Sequence, residues 1–104
     1  MYAENTKGRF INCVVTQCGC NGIYCDENAL IEVEGDQTKV DGNGTSRRGF
    51  YGLDTYDTSS RIHLLFPLTQ ESVSTNNHGG NNYSGNGTIK TVNSFNNNTK
   101  NTNK

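Results

Sequence analysis

The sequence predicts an all-β chain wound as a solenoid of short strands, and three observations predict it. The composition is turn-rich and poor in core material, apolar residues recur at every second position, and one stretch of the chain is repeated. Only 31% of the 104 residues are hydrophobic, while there are 12 Gly, one Pro and no Trp. A central globular core would be thin on that supply, whereas short strands joined by tight corners need less apolar material. Almost no helix is expected.

Taken in chain order, Phe10 to Val15 is the first β-branched run, ending at a turn over Thr16 to Asn21. In Leu30-Ile31-Glu32-Val33-Glu34, Ile31 and Val33 share one face and the two glutamates take the other. That alternation is what a strand with one wet side requires. Arg61 to Phe66 repeats it, with Ile62, Leu64 and Phe66 on one face and Arg61, His63 and Leu65 on the other. Thr88 to Val92 is a weaker strand. The linking stretches, including Gly35-Asp36-Gln37, Asp41-Gly42-Asn43-Gly44 and residues 76–87, are rich in residues that tolerate positive φ and read as corners. Residues 1–92 are expected to form one solenoid unit. The Asn/Thr-rich segment 93–104 is expected to be a polar, disordered tail or a last, poorly covered turn.

The repeat emerges when residues 22–34 are laid over residues 52–64. Gly22 falls on Gly52, Ile23 on Leu53 and Cys25 on Thr55, and after one inserted residue Ile31 meets Ile62 and Val33 meets Leu64. The Phe10 run is expected to join at a shift of twenty, with Ile11 over Ile31 and Cys13 over Val33. Self-similarity at this period marks a solenoid, in which each unit buries its apolar face on the next. In one coil the expected strands are Gly22 to Cys25, Leu30 to Glu34 and Thr38 to Val40. Tyr51 to Thr55 and Arg61 to Phe66 supply the first two of the next.

Residues 10–44, FINCVVTQCGCNGIYCDENALIEVEGDQTKVDGNG, with a degenerate second copy through Phe66, resemble the right-handed parallel β-helix repeat proteins of the pectate lyase-like superfamily. The resemblance implies a right-handed parallel β-helix segment of about three to four coils. Polysaccharide-cleaving members use clustered Asp residues, with Ca²⁺ and a basic residue in the lyases or with a Gly-His-Gly stretch in the hydrolases. Here His78 lacks the preceding glycine and there is no Asp-Asp pair, so no catalytic residue carries over. The family also includes surface and adhesion proteins without enzymatic activity.

Candidate site residues follow from side-chain chemistry. Outward Tyr24, Tyr51 and Tyr56, with His63, would offer stacking surfaces to sugar rings, and Asp54 and Asp57 are counted with them as ligand-binding candidates. Asp54 and Asp57, with Asp36 and Asp41, are also the candidates for Ca²⁺, a hard ion that takes several oxygens. Otherwise no cofactor is expected. Cys13, Cys18, Cys20 and Cys25 are spaced C-x4-C-x-C-x4-C, which fits neither a zinc knuckle nor an iron–sulfur loop. Disulfides, structural thiols and a metal site all remain open for them, with Cys13 and Cys25 expected to point inward and a Cys13–Cys18 bridge among the alternatives. Asn43, Asn82, Asn86 and Asn97 satisfy the N-glycosylation pattern.

With 9 basic against 10 acidic residues the net charge is −1, which gives no electrostatic footprint for nucleic acid. No run approaches the roughly 20 apolar residues that insert into a membrane as a helix. The expectation is therefore a non-catalytic structural or adhesive module, extracellular or on the cell surface, that contacts glycans and stacks on copies of itself or on adjoining coils. The alternatives are a polysaccharide-active fragment using Asp54, Asp57 and His63, and a small metal-binding domain built on the four cysteines.

Overall fold

The computed structural model describes residues 1–45, 50–77 and 82–95. Among them the chain is mostly strand, with one four-residue helix. The strands are β1 (Tyr2–Glu4), β2 (Lys7–Ile11), β3 (Val14–Thr16), β4 (Ile23–Asp26), β5 (Leu30–Glu34), β6 (Lys39–Asp41), β7 (Leu53–Thr55) and β8 (Arg61–Leu65). The helix α1 (Gln70–Val73) and strands β9 (Ser74–Thr75), β10 (Tyr83–Gly85) and β11 (Thr88–Val92) complete the order. They form three parallel sheets, β1-β4-β7-β10, β2-β5-β8-β11 and β3-β6-β9. The chain visits the first, second and third sheet in rotation, so each circuit pairs in parallel with the one before it.

The pairing register carries the repeat. Ile23 pairs with Leu53, Cys25 with Thr55, Ile31 with Ile62 and Val33 with Leu64, as the sequence predicts. Inward side chains therefore lie over one another in rows such as Gly8-Ile31-Ile62-Ile89 and Phe10-Val33-Leu64-Thr91. Ile23, Ile31, Val33, Val40, Leu53, Ile62 and Leu64 are fully buried. Alternation puts half of each strand into these rows and leaves the other half outside.

The paired glycines have a steric reason. A Cβ on Gly22 would sit 2.6 Å from Val40 Cγ1 and 2.7 Å from Gly52 O, and one on Gly52 would strike Ser74 and Asn77. Both mark where the chain entering the first sheet passes against the third. Among the described residues the corners use left-handed backbone at six non-glycine positions, Asn5, Asn12, Gln17, Glu27, Asn28 and Asn76, and four of these are asparagine, which tolerates it.

Asparagine also satisfies one corner from within. Asn43 is fully buried; its Oδ1 accepts from Cys18 N at 3.0 Å, and its Nδ2 donates to Val15 O and Asn77 Oδ1, each at 3.0 Å. Asn77 Nδ2 in turn donates to Val40 O, Ser74 Oγ and Asn82 Oδ1. This ladder ties together backbone that the sheets leave unpaired at the turn.

Several expectations change. The Phe10 run is two strands, because Asn12 turns the corner at φ 51°. Gly8 and Phe10, not Ile11 and Cys13, therefore lie over Ile31 and Val33, a shift of 23 instead of twenty. Cys13 follows that corner and is exposed, not inward. Residues 2–4, not expected to pair, form β1, so a full circuit precedes β4. Tyr83–Gly85, read as a corner, is a strand on β7. The segment after β11 is not a free tail at its start: Phe95 lies 4.6 Å from the Arg9 guanidinium. Beneath Arg9, the outward Glu32 is only 2% exposed and accepts from Arg9 Nη2 at 2.9 Å. The tail expectation for residues 96–104 lies outside the described residues.

Ile62→Ala removes a side chain packed between Ile31 and Ile89 and is expected to cost about 2–5 kcal/mol by urea denaturation. Asn43→Ala, which leaves Cys18 N and Asn77 Oδ1 short of a partner, is expected to cost about 1–3 kcal/mol in the same measurement.

Candidate functional site

Outward residues of the first sheet bring the tyrosines and carboxylates together. The register stacks Tyr2 on Tyr24 and Tyr24 on Asp54, which pairs onward with Ser84. A second column holds Glu4 against Asp26. Tyr56 follows, its backbone N–H donating to Cys25 O. The Tyr2 and Tyr24 rings meet edge to face at 5.2 Å between centroids, and Tyr24 and Tyr56 are tilted at 6.1 Å. The first separation is close to the roughly 4.8 Å between neighbouring strands, because Tyr2 and Tyr24 are paired in register, whereas Tyr56 lies two residues beyond Tyr24's partner Asp54 and meets the Tyr24 ring diagonally. Tyr2 is 61% and Tyr56 59% exposed, so the aromatic row is open to solvent.

The side-chain charges here are of one sign, with the Met1 ammonium at the first-circuit end donating to Gly22 O. Tyr2 Oη donates to Glu4 Oε1 at 2.8 Å, and that hydrogen bond to a carboxylate pushes the Tyr2 phenol up to about 12. Glu4 and Glu27 share a hydrogen bond that lowers Glu4, which Tyr2 lowers further, and raises Glu27. Burial opposes ionisation of Asp57, yet hydrogen bonds from the Ser59 hydroxyl and the backbone N–H of Glu27 and Ser60 hold its carboxyl low. Asp54 differs. It is 9% exposed, and burial first and the Asp26 charge second raise its carboxyl above the usual range. The ion pairs among the described residues lie on the second sheet, Lys7 and Arg9 with Glu32 and Arg9 with Glu34. None of them neutralises this face.

At its first-circuit end the row opens into a cleft of about 420 Å³ lined by Met1, Tyr2, Cys20, Asn21, Tyr24 and Phe50. Three aromatic rings and Met1 make its walls largely apolar, with the Asn21 side chain as a polar group. Asn21 Oδ1 also accepts from Tyr51 N at 2.6 Å, which anchors the chain leading into β7.

Of the expected site residues, Tyr24, Asp54, Tyr56 and Asp57 are therefore gathered, while Tyr51 and His63 are not. Tyr51 is half-buried before β7. His63 belongs to the second sheet, in the outward row Arg9-Glu32-His63-Lys90, and is half-buried instead of facing solvent. Burial first, then Lys90 and Arg61, keep its imidazole below its ordinary pKa. No triad of Asp54, Asp57 and His63 forms, since the sheets separate them. Asp36 lies at the corner between β5 and β6 and Asp41 on β6, so the four aspartates do not converge on one ion. Among the described residues no group of three or more His, Cys, Asp or Glu side chains is arranged to hold a metal.

The four cysteines are free thiols: Cys13 and Cys20 exposed, Cys18 half-buried and Cys25 buried, its thiol pushed up to about 12 by burial and Asp54. Asn43, offered as a glycan acceptor, has its amide inside the corner ladder and is inaccessible in the folded chain. Asn82 is half-buried, Asn86 is exposed, and Asn97, with His78, lies outside the described residues. Tyr2, Glu4 and Asp26 were not among the expected site residues. Their signal was a further copy of the repeat, Tyr2-Ala3-Glu4-Asn5 against Tyr24-Cys25-Asp26-Glu27-Asn28.

No family model, curated protein or solved structure matches the chain. No helix among the described residues is long and apolar enough to cross a membrane.

Because burial and Asp26 raise the Asp54 carboxyl, the fold is relatively favoured below the unfolded-state value of 3.8, and that advantage is lost as pH rises through the higher folded-state value. Asp54→Asn is therefore expected to raise the melting temperature at neutral pH, with the gain vanishing in scans run below 3.8.

Proposed function

We propose that the chain is a right-handed parallel β-helix segment that serves as a non-catalytic structural or adhesive module at the cell surface or outside the cell, and that it contacts glycans through the tyrosine face. The winding reading is supported by the rotation of the chain through three parallel sheets and by the inward rows that cross the circuits. Glycan contact rests on one observation above the others, the row Tyr2-Tyr24-Tyr56 standing on successive circuits with its outer rings exposed. Tyrosine offers a flat apolar face to the C–H side of a sugar ring and a hydroxyl at its tip. Glu4, Asp26 and Asp57 are acceptors for sugar hydroxyls at its border. The row is a long open surface, suited to an extended chain.

Self-stacking is part of the same reading. The edge strands at the two ends agree in length, three residues for β1 and β10 and five for β2 and β11, so a further circuit from another copy meets strands of matching extent. Among the described residues the outer edges of these strands are unpaired, and edges of this kind favour strand addition.

A glycan array probed with the intact chain is expected to give signal that Tyr24→Ala and Tyr56→Ala reduce together. The same polysaccharides incubated with the chain are expected to release no new reducing or unsaturated ends. Turnover would overturn the non-catalytic reading, and an array without signal would overturn glycan contact.

A further inference from the structure

We infer that the outer face of the second sheet carries a site for a tetrahedral oxyanion, the sulfate or phosphate group of a sugar monoester, held between Arg61 and Lys90 above His63. The site stands apart from the tyrosine face and does not depend on glycan contact there. Its residues come from adjacent strands. Arg61 and His63 are outward on β8, since Ile62 and Leu64 are buried in the inward rows, and Lys90 on β11 pairs with His63. Neighbouring strands lie roughly 4.8 Å apart and alternate residues of one strand roughly 6.6 Å apart, so both cationic side chains reach the space over the imidazole.

These two cations differ from the others on the face. Lys7 and Arg9 are engaged by Glu32 and Glu34, whereas the side chains of Arg61 and Lys90 hold no ion pair among the described residues. Arg61 Nε is buried without a hydrogen-bond partner, the one side-chain nitrogen or oxygen of the described residues in that state. Such an unmet donor is costly, and a charge-assisted bond to an oxyanion relieves the cost. When the guanidinium turns its fork outward it gives up no bond to the protein, so an oxyanion competes with no internal acceptor. Repulsion points the same way. Like charges on adjacent strands destabilise each other, and after burial it is Lys90 and Arg61 that keep His63 below its ordinary pKa. Glu32 faces His63 from β5 but is taken by Arg9. The guanidinium fork matches two oxygens of a tetrahedral group and the ammonium meets a third. The Thr88 hydroxyl, in register with Arg61, adds a donor.

The test is NMR titration of the His63 imidazole in the intact chain, at constant ionic strength, with glucose 6-sulfate, glucose 6-phosphate, glucuronate or glucose. A bound oxyanion offsets Lys90 and Arg61 and favours the imidazolium. Either ester is therefore expected to raise the His63 pKa by about half a unit or more, glucuronate by less, and glucose not at all. A rise with one ester alone supports the site and identifies the group. Arg61→Gln and Lys90→Gln are each expected to reduce the rise about twofold or more, with far-UV circular dichroism unchanged, while Tyr24→Ala leaves it intact. Lys90 is exposed, so its variant reads the site should Arg61→Gln fail to fold. Absence of a rise with both esters would overturn the inference, as would an equal rise with glucuronate or a rise that survives Lys90→Gln undiminished. The glycan array reads the tyrosine face separately, so either result stands without the other.

Discussion

Backbone pairing between successive circuits is the constraint on which the rest depends. Once β4 pairs with β7 and β5 with β8 in the observed register, every inward side chain is set over its counterpart and every outward one is set beside its own. The core then needs no central mass: four aliphatic residues in each of the two middle circuits, Ile23, Ile31, Val33 and Val40 in one and Leu53, Ile62, Leu64 and Val73 in the next, close the interior. A chain with so few apolar residues can be ordered because the hydrogen bonds of the sheets carry what a larger core would otherwise supply.

That constraint also separates the molecule into surfaces of different character. The first sheet carries tyrosines and carboxylates, with the Met1 ammonium at its first-circuit edge. The second carries the Arg9-Glu32-His63-Lys90 row, where opposite charges are adjacent and Phe95 lies over the outer guanidinium. The corner after the third is closed by amides. Glu32, outward on the second sheet, is buried and paired with Arg9.

The alternating runs from Leu30 and Arg61 were legible because a strand wetted on one side repeats every two residues, and their match at a shift of thirty-one was legible because both bury the same row. The first circuit was not. Asn12 adopts a left-handed conformation that any asparagine in this chain could adopt, so nothing local distinguishes the bend there from a continuing strand. β10 was hidden for a similar reason: Tyr83-Ser84-Gly85 has no apolar alternation of its own and is extended because β7 offers it an edge. At the site, alternation told inside from outside but not which sheet a residue joins. Tyr24, Asp54 and Tyr56 fell together and His63 fell elsewhere, since sheet membership depends on the corners counted between them.

The intervals along the tyrosine row have a further meaning. Along the paired column Tyr2-Tyr24-Asp54-Ser84 they are imposed by main-chain geometry and not by the side chains, so exchanging an outward side chain alters what stands at a graduation of the ruler but not the distance between graduations. A surface of this kind can change its preferred ligand by point substitution while its metric stays the same, and affinity for a polymer then depends on how nearly the polymer's own repeat is commensurate with it.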